Sequence, residues 1–195
     1  MMETRVQRYP WADRARRGAC RRREEKHVTE THAAQSGDDW KADRIGAAII
    51  GANPMVMARL PQSFAVIGDV QWLPGYSVLL TDTPGVERLT DLERTERLEF
   101  LSSLDRLAEA VEAACSEADS DFLRVNIEIL GNKDPFLHAH VWPRYAWEPD
   151  DVRAKPVWLY PPTNWSEPAH AYGPASAGLR EAITRRLNAP LGHDG

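Results

Sequence analysis

The sequence predicts an α+β domain in which a five-stranded, mainly antiparallel sheet packs against one long helix, with a short helix ahead of the sheet. Three observations carry this. Three apolar runs between Met55 and Thr81 are joined by connections too short for a crossover helix. One sustained helical repeat follows, and two further strand-like runs come after it, ending at Tyr145.

The chain has 195 residues, 43% hydrophobic and 27% charged, enough for one core and an extension. Residues 1–39 carry no sustained apolar period and include Arg21-Arg22-Arg23-Glu24-Glu25-Lys26, so they read as a basic, disordered arm. Up to Lys26 nine basic residues face four acidic ones, a net +5, while the whole chain is at -5. The body is therefore acidic at -10, which argues against nucleic acid as a partner.

From Trp40 a short helix is expected through Ala42, Ile45, Ala48 and Ile49, capped by Asp38 or Asp39 and ended by Gly51-Ala52-Asn53-Pro54. Strands are expected at Met55 to Leu60, Phe64 to Gly68 and Tyr76 to Thr81, divided by Pro61-Gln62-Ser63 and Leu73-Pro74-Gly75. The long helix spans Leu92 to Ala118, with Leu92, Leu98, Leu101, Leu104, Val111 and Ala118 among its apolar positions. Thr90 followed by Glu93 forms a capping-box pattern at its start. Phe122 to Leu130 alternates with period two, Gly131-Asn132-Lys133-Asp134-Pro135 is turn chemistry, and Phe136 to Tyr145 is the last strand. The segments are thus 1–39, an arm; 40–147, the domain; and 148–195, a proline- and aromatic-rich wrap with a closing helix at Ala177 to Leu187.

No apolar run approaches the roughly 20 residues of a membrane-spanning helix. The N-terminus lacks the apolar stretch of a secretory signal, and Cys20 and Cys115 form no CxxC pair, so a cytoplasmic protein with no membrane partner is expected. Cys115 reads as a small core residue of the long helix.

Chemistry concentrates in Phe136-Leu137-His138-Ala139-His140-Val141-Trp142-Pro143-Arg144-Tyr145. Alternation along a strand puts His138 and His140 on one face, about 7 Å apart at roughly 3.3 Å per residue. Three readings compete for such a pair. The histidines are half-buried polar residues of a sheet edge; they are metal ligands, needing a third donor from His170, His193, His27 or His32; or one is a nucleophile at phosphorus and the other a hydrogen-bond donor to the phosphate. Trp142, Trp147, Trp158 and Trp165 form either a wall over a substrate pocket or, the favoured reading, a wrap packed on the sheet.

The chain resembles the histidine triad (HIT) family of nucleotide hydrolases and transferases, in which three alternate histidines end a sheet, often before Pro-Arg. Phe136, His138 and His140 stand on the triad positions, with Phe136 replacing the first histidine. Asp43-Arg44-Ile45, the run Phe64 to Asp69, Leu73-Pro74-Gly75-Tyr76, the long helix and Asn126 follow the family's order of elements. The resemblance implies a HIT-like fold, a homodimer, and hydrolysis of a dinucleoside polyphosphate or related adenosine nucleotide through a covalent nucleotidyl-histidine at His138. It implies a hydrogen bond from His140 to the phosphoryl or leaving-group oxygen, phosphate or ribose contacts from Asn126 and Asp69, and a base slot including Phe64 and Ile67. Arg144 and Lys133 are further substrate-binding candidates. No tightly bound cofactor or metal is expected beyond Mg²⁺ carried by the substrate. Nucleotidyl transfer and a silent nucleotide-binding module are the alternatives.

Overall fold

The computed structural model describes residues 39–190. The basic arm and the last five residues, His193 among them, lie outside the described residues.

A turn of 3-10 helix at Asp39–Lys41 precedes α1, Arg44–Ile49. Asp43 caps α1: its carboxylate accepts from the Gly46 backbone N–H at 2.8 Å. The cap is thus Asp43, rather than Asp38 or Asp39, because the first helical turn is interrupted before Arg44.

Strands β1 (Val56–Leu60), β2 (Ser63–Ile67) and β3 (Ser77–Thr81) pair in antiparallel succession. Helix α2, Arg94–Ala118, leads into β4 (Phe122–Glu128) and β5 (His138–Tyr145). The sheet order β1-β2-β3-β5-β4 is antiparallel throughout, so the last strand of the chain's sheet sits between β3 and β4. This is the five-stranded α+β architecture expected.

Helix α2 begins two residues later than expected. Glu93 is its cap, and its N–H donates to the Glu96 carboxylate at 3.1 Å. The buried face runs through Phe100, Leu104, Leu107, Val111 and Cys115, a 3.6-residue period that leaves Leu98 55% exposed. Burial pushes the Cys115 thiol up to about 11, so it remains a protonated core side chain.

Alternation gives the sheet two apolar faces. Ala65, Ile67, Leu79, Ala139 and Val141 pack under α2 and under Ile183 and Leu187 of α5, Pro174–Leu187. Phe64, Val66, Val78, Leu80 and Trp142 face the other way, toward the segment after β5. That segment holds α3 (Asp150–Arg153), a 3-10 turn at Val157–Leu159 and α4 (Thr163–Ser166). No helix among the described residues is long and apolar enough to cross a membrane.

Candidate active site

On the face away from α2 the sheet opens into a cavity of about 560 Å³, within the range of small-molecule sites. Its floor is β2, β3 and β5: Val66, Val78 and Leu80, with His138 and His140 beside them. The register explains this, since Val78 lies opposite His140 and Leu80 opposite His138. Arg44 of α1, Asp69, the loop around Lys133 and Asp134, and Trp158 and Trp165 complete the wall.

Both histidines are buried, at 6% and 7% exposure. Their ring centroids stand 4.8 Å apart with planes at 83°, closer than strand spacing alone suggested because the imidazoles lean together. His138 Nδ1 lies 2.8 Å from the carbonyl oxygen of Phe136. A carbonyl can only accept, so Nδ1 carries a proton, and the neutral tautomer this selects has a bare Nε2. The Phe136 ring packs on His138 at 4.8 Å between centroids.

His140 Nδ1 meets the hydroxyl of Tyr76 at 2.8 Å. Desolvation, and then the neighbouring His138, pull His140 down to about 3, so its imidazole is neutral near pH 7. Burial pushes the Tyr76 phenol well above its ordinary value, so it keeps its proton and can donate to Nδ1. With Tyr76 as donor the His140 N–H sits on Nε2, and with Tyr76 as acceptor it sits on Nδ1. Tyr76 is held by stacking on Trp142 at 3.6 Å and 6°. It also relies on Gly68, where a Cβ would stand 2.2 Å from the tyrosine ring. The positive φ of Gly75, 88°, turns the chain into β3 just before it.

Asp69 lines the cavity and receives a forked pair from Arg44, at 3.1 and 2.5 Å. Lys133 lines it as well. Ile67 borders it, but its side chain is fully buried in the cluster under α2, and Val66 is the β2 residue that turns inward. Phe64 is on the histidine face yet is not among the residues around the cavity; the Arg59 guanidinium lies over its ring at 5.4 Å.

Asn126 and Arg144 stand away from the cavity. The β4–β5 register sets Asn126 beside Trp142 and puts Glu128 beside His140. Arg144 is 4% exposed and held through Nε and Nη2: it forks onto Glu148 at 3.0 and 2.9 Å and donates to the Arg153 carbonyl and the Tyr160 hydroxyl. It fastens the segment after β5 and is not among the residues around the cavity. His170 binds the Asn164 carbonyl at 3.0 Å and does not join the histidine pair. Among the described residues no group of three or more His, Cys, Asp or Glu is placed to hold a metal ion.

The residues at or beside the histidine pair that strand periodicity alone did not reveal are Tyr76, Arg44 and Glu128. Tyr76 required knowledge of how β3 pairs with β5, and Glu128 the register of β4. The tryptophans are both wrap and wall, since Trp158 and Trp165 pack on each other and face the cavity.

No protein-family model matches the sequence, and neither does any curated protein. Solved structures do. A histidine triad protein from Marinobacter aquaeolei shares 18% identity over 72% of this chain and 93% of its own, with a TM-score of 0.54. A histidine triad protein from Bradyrhizobium japonicum matches at 19% identity over 72% and 95%, with a TM-score of 0.53. A hypothetical histidine triad nucleotide-binding protein from Sulfolobus tokodaii matches at 10% identity over 73% and 89%, also at 0.53. The fold is the histidine triad fold.

Proposed function

We propose that the protein is a nucleotide phosphohydrolase in which His138 forms a covalent nucleotidyl-histidine. The observation that supports this most is the bond between His138 Nδ1 and the Phe136 carbonyl, which leaves a bare Nε2 on a ring that lines the cavity.

In this reading Nε2 attacks the α-phosphorus, the bond to the leaving oxygen breaks with its electron pair, and His138 carries the nucleotidyl group as an imidazolium with Nδ1–H still on the carbonyl. Water then attacks phosphorus, the P–N bond breaks with its electron pair on Nε2, the water's proton passes to solvent, and neutral His138 returns. His140 Nε2–H donates to the oxygen on which charge develops. Asp69, oriented by Arg44, accepts from the ribose hydroxyls, and Val66 and Val78 take the base. Lys133 neutralises phosphate charge, and any Mg²⁺ arrives on the phosphates of the substrate.

The substrate class is a dinucleoside polyphosphate or a related adenosine nucleotide. Incubation with diadenosine tetraphosphate and a nucleotide panel should release nucleoside monophosphate from the wild type and not from His138→Ala. Release from neither, with nucleotide still bound by both, identifies a binding module instead; product formed only when phosphate is supplied as acceptor identifies a transferase.

We also propose a homodimer through β4. That strand ends the sheet, and Leu123 and Ile127 on it and Ile129 just after it are 51%, 46% and 38% exposed. Ile127→Lys should shift the species seen by light scattering from dimer to monomer; a monomeric wild type removes the proposal.

A further inference from the structure

The loop between β2 and β3 carries Asp69 near one end and Tyr76 at the other, and both line the cavity. It is closed from within by one side chain, Gln71, which is 8% exposed and is not among the residues around the cavity. Gln71 Nε2 donates to the carbonyl oxygens of Gly68 and Tyr76, each at 2.9 Å, and Oε1 accepts from the Gly75 N–H, also at 2.9 Å. These partners settle which end of the amide is which, because a carbonyl can only accept and a backbone N–H can only donate. The Gln71 main chain is held from outside the loop. Its N–H donates to the His170 carbonyl at 2.6 Å, beside a bridge between Val70 and Ala171, so the side chain reaches across from a fixed base.

We propose that Gln71 is a positioning residue, which fixes the main chain at Tyr76 and, through the Tyr76 hydroxyl, holds His140 in place beside His138. The role rests on the nucleotide-hydrolase reading above and names a residue that acts on its chemical step without touching substrate.

The contacts run without a break from the amide to the imidazole. The Tyr76 carbonyl accepts from Gln71 and also from the Gly68 N–H at 2.9 Å, so the pair of residues that closes the loop is gripped from both sides. The tyrosine ring has little freedom beyond that. A Cβ on Gly68 would stand 2.2 Å from it, Trp142 stacks on it at 3.6 Å, and its hydroxyl lies 2.8 Å from His140 Nδ1. A shift of the main chain at Tyr76 is therefore passed on to His140 rather than absorbed, and a misplaced group at a reacting centre costs rate. Asp69 has anchors of its own. Its carbonyl accepts from the Tyr172 N–H at 2.8 Å and its carboxylate is forked by Arg44. Loss of the Gln71 side chain should thus fall on kcat, through His140, and spare KM, to which Asp69 contributes.

The test is a double-mutant cycle on release of nucleoside monophosphate from diadenosine tetraphosphate. Gln71→Met should lower kcat about five- to tenfold in the wild-type background and less than about twofold in the Tyr76→Phe background, with KM within about twofold in both. Gln71→Asn, one methylene too short to reach Gly68 and Tyr76 together, should give the same pattern. Ser103→Ala removes a buried hydrogen bond to the Pro61 carbonyl on the α2 side of the sheet, and should lower the unfolding midpoint with kcat unchanged. Unaltered kcat in both Gln71 variants, equal kcat losses in the two Tyr76 backgrounds, a loss confined to KM, or a kcat loss in Ser103→Ala matching that of Gln71→Met overturns the positioning role and leaves the hydrolase reading standing. No release by the wild type overturns both.

Discussion

His138 is oriented by a main-chain atom of Phe136: Nδ1 of the imidazole and the carbonyl oxygen lie 2.8 Å apart. The phenyl side chain takes no part in fixing the tautomer. On the proposed reading, phenylalanine at position 136 leaves the geometry of His138 in place, and Phe136→Ala should lower kcat/KM by only threefold to tenfold through lost packing on the imidazole. His138→Ala should lose roughly a thousandfold or more. A Phe136→Ala loss as large as that of His138→Ala would mean that the side chain, and not the carbonyl, sets the site.

Tyr76 holds Nδ1 of His140 at 2.8 Å and orients its ring, so Tyr76→Phe should lower kcat by about tenfold while the thermal unfolding midpoint moves little. Gly68→Ala should give a similar loss by pushing the ring aside, because its Cβ would stand 2.2 Å from Tyr76 Cδ1. Normal turnover in Tyr76→Phe would assign His140 another source of orientation.

Stability should fall on acidification. His140 has an ordinary value of 6.5 when the chain is unfolded and about 3 when folded, so between these values the unfolded chain takes up a proton that the folded one refuses. Its contribution is complete above pH 6.5 and is lost as pH falls, at up to roughly 1.4 kcal/mol per pH unit, levelling off near pH 3. Urea unfolding of the wild type and of His140→Asn at several pH values isolates this slope; identical slopes would show that His140 charges freely in the folded protein.

Arg144 and Glu148 form a buried pair that ties the segment after β5 to the sheet. Arg144→Met leaves the carboxylate buried without its partner, at a cost of about 3–5 kcal/mol. Urea unfolding should show that loss, while KM for nucleotide in the folded fraction stays near the wild-type value. A selective rise in KM with unaltered stability would restore a phosphate contact to Arg144.

What was legible in the sequence followed from local periodicity. Period-two spacing placed His138 and His140 on one face, and the apolar repeat located α2 to within two residues. What was not legible depended on pairing between distant segments. Asn126 and Glu128 share a face of β4, and only the register with β5 puts Glu128 beside His140. Arg144 also follows the histidines on their face, but Glu148, four residues later, captures its guanidinium. Leu98 fits an apolar repeat and is exposed, because Phe100 rather than Leu98 faces the sheet.

The most direct measurement is rapid acid-free quenching of the wild type during turnover of an adenosine nucleotide, followed by intact-mass and peptide analysis. The account predicts a transient adduct of one adenylyl group on the peptide carrying His138, labile to acid and absent from His138→Ala. Turnover with no adduct, and with undiminished product release by His138→Ala, would contradict it.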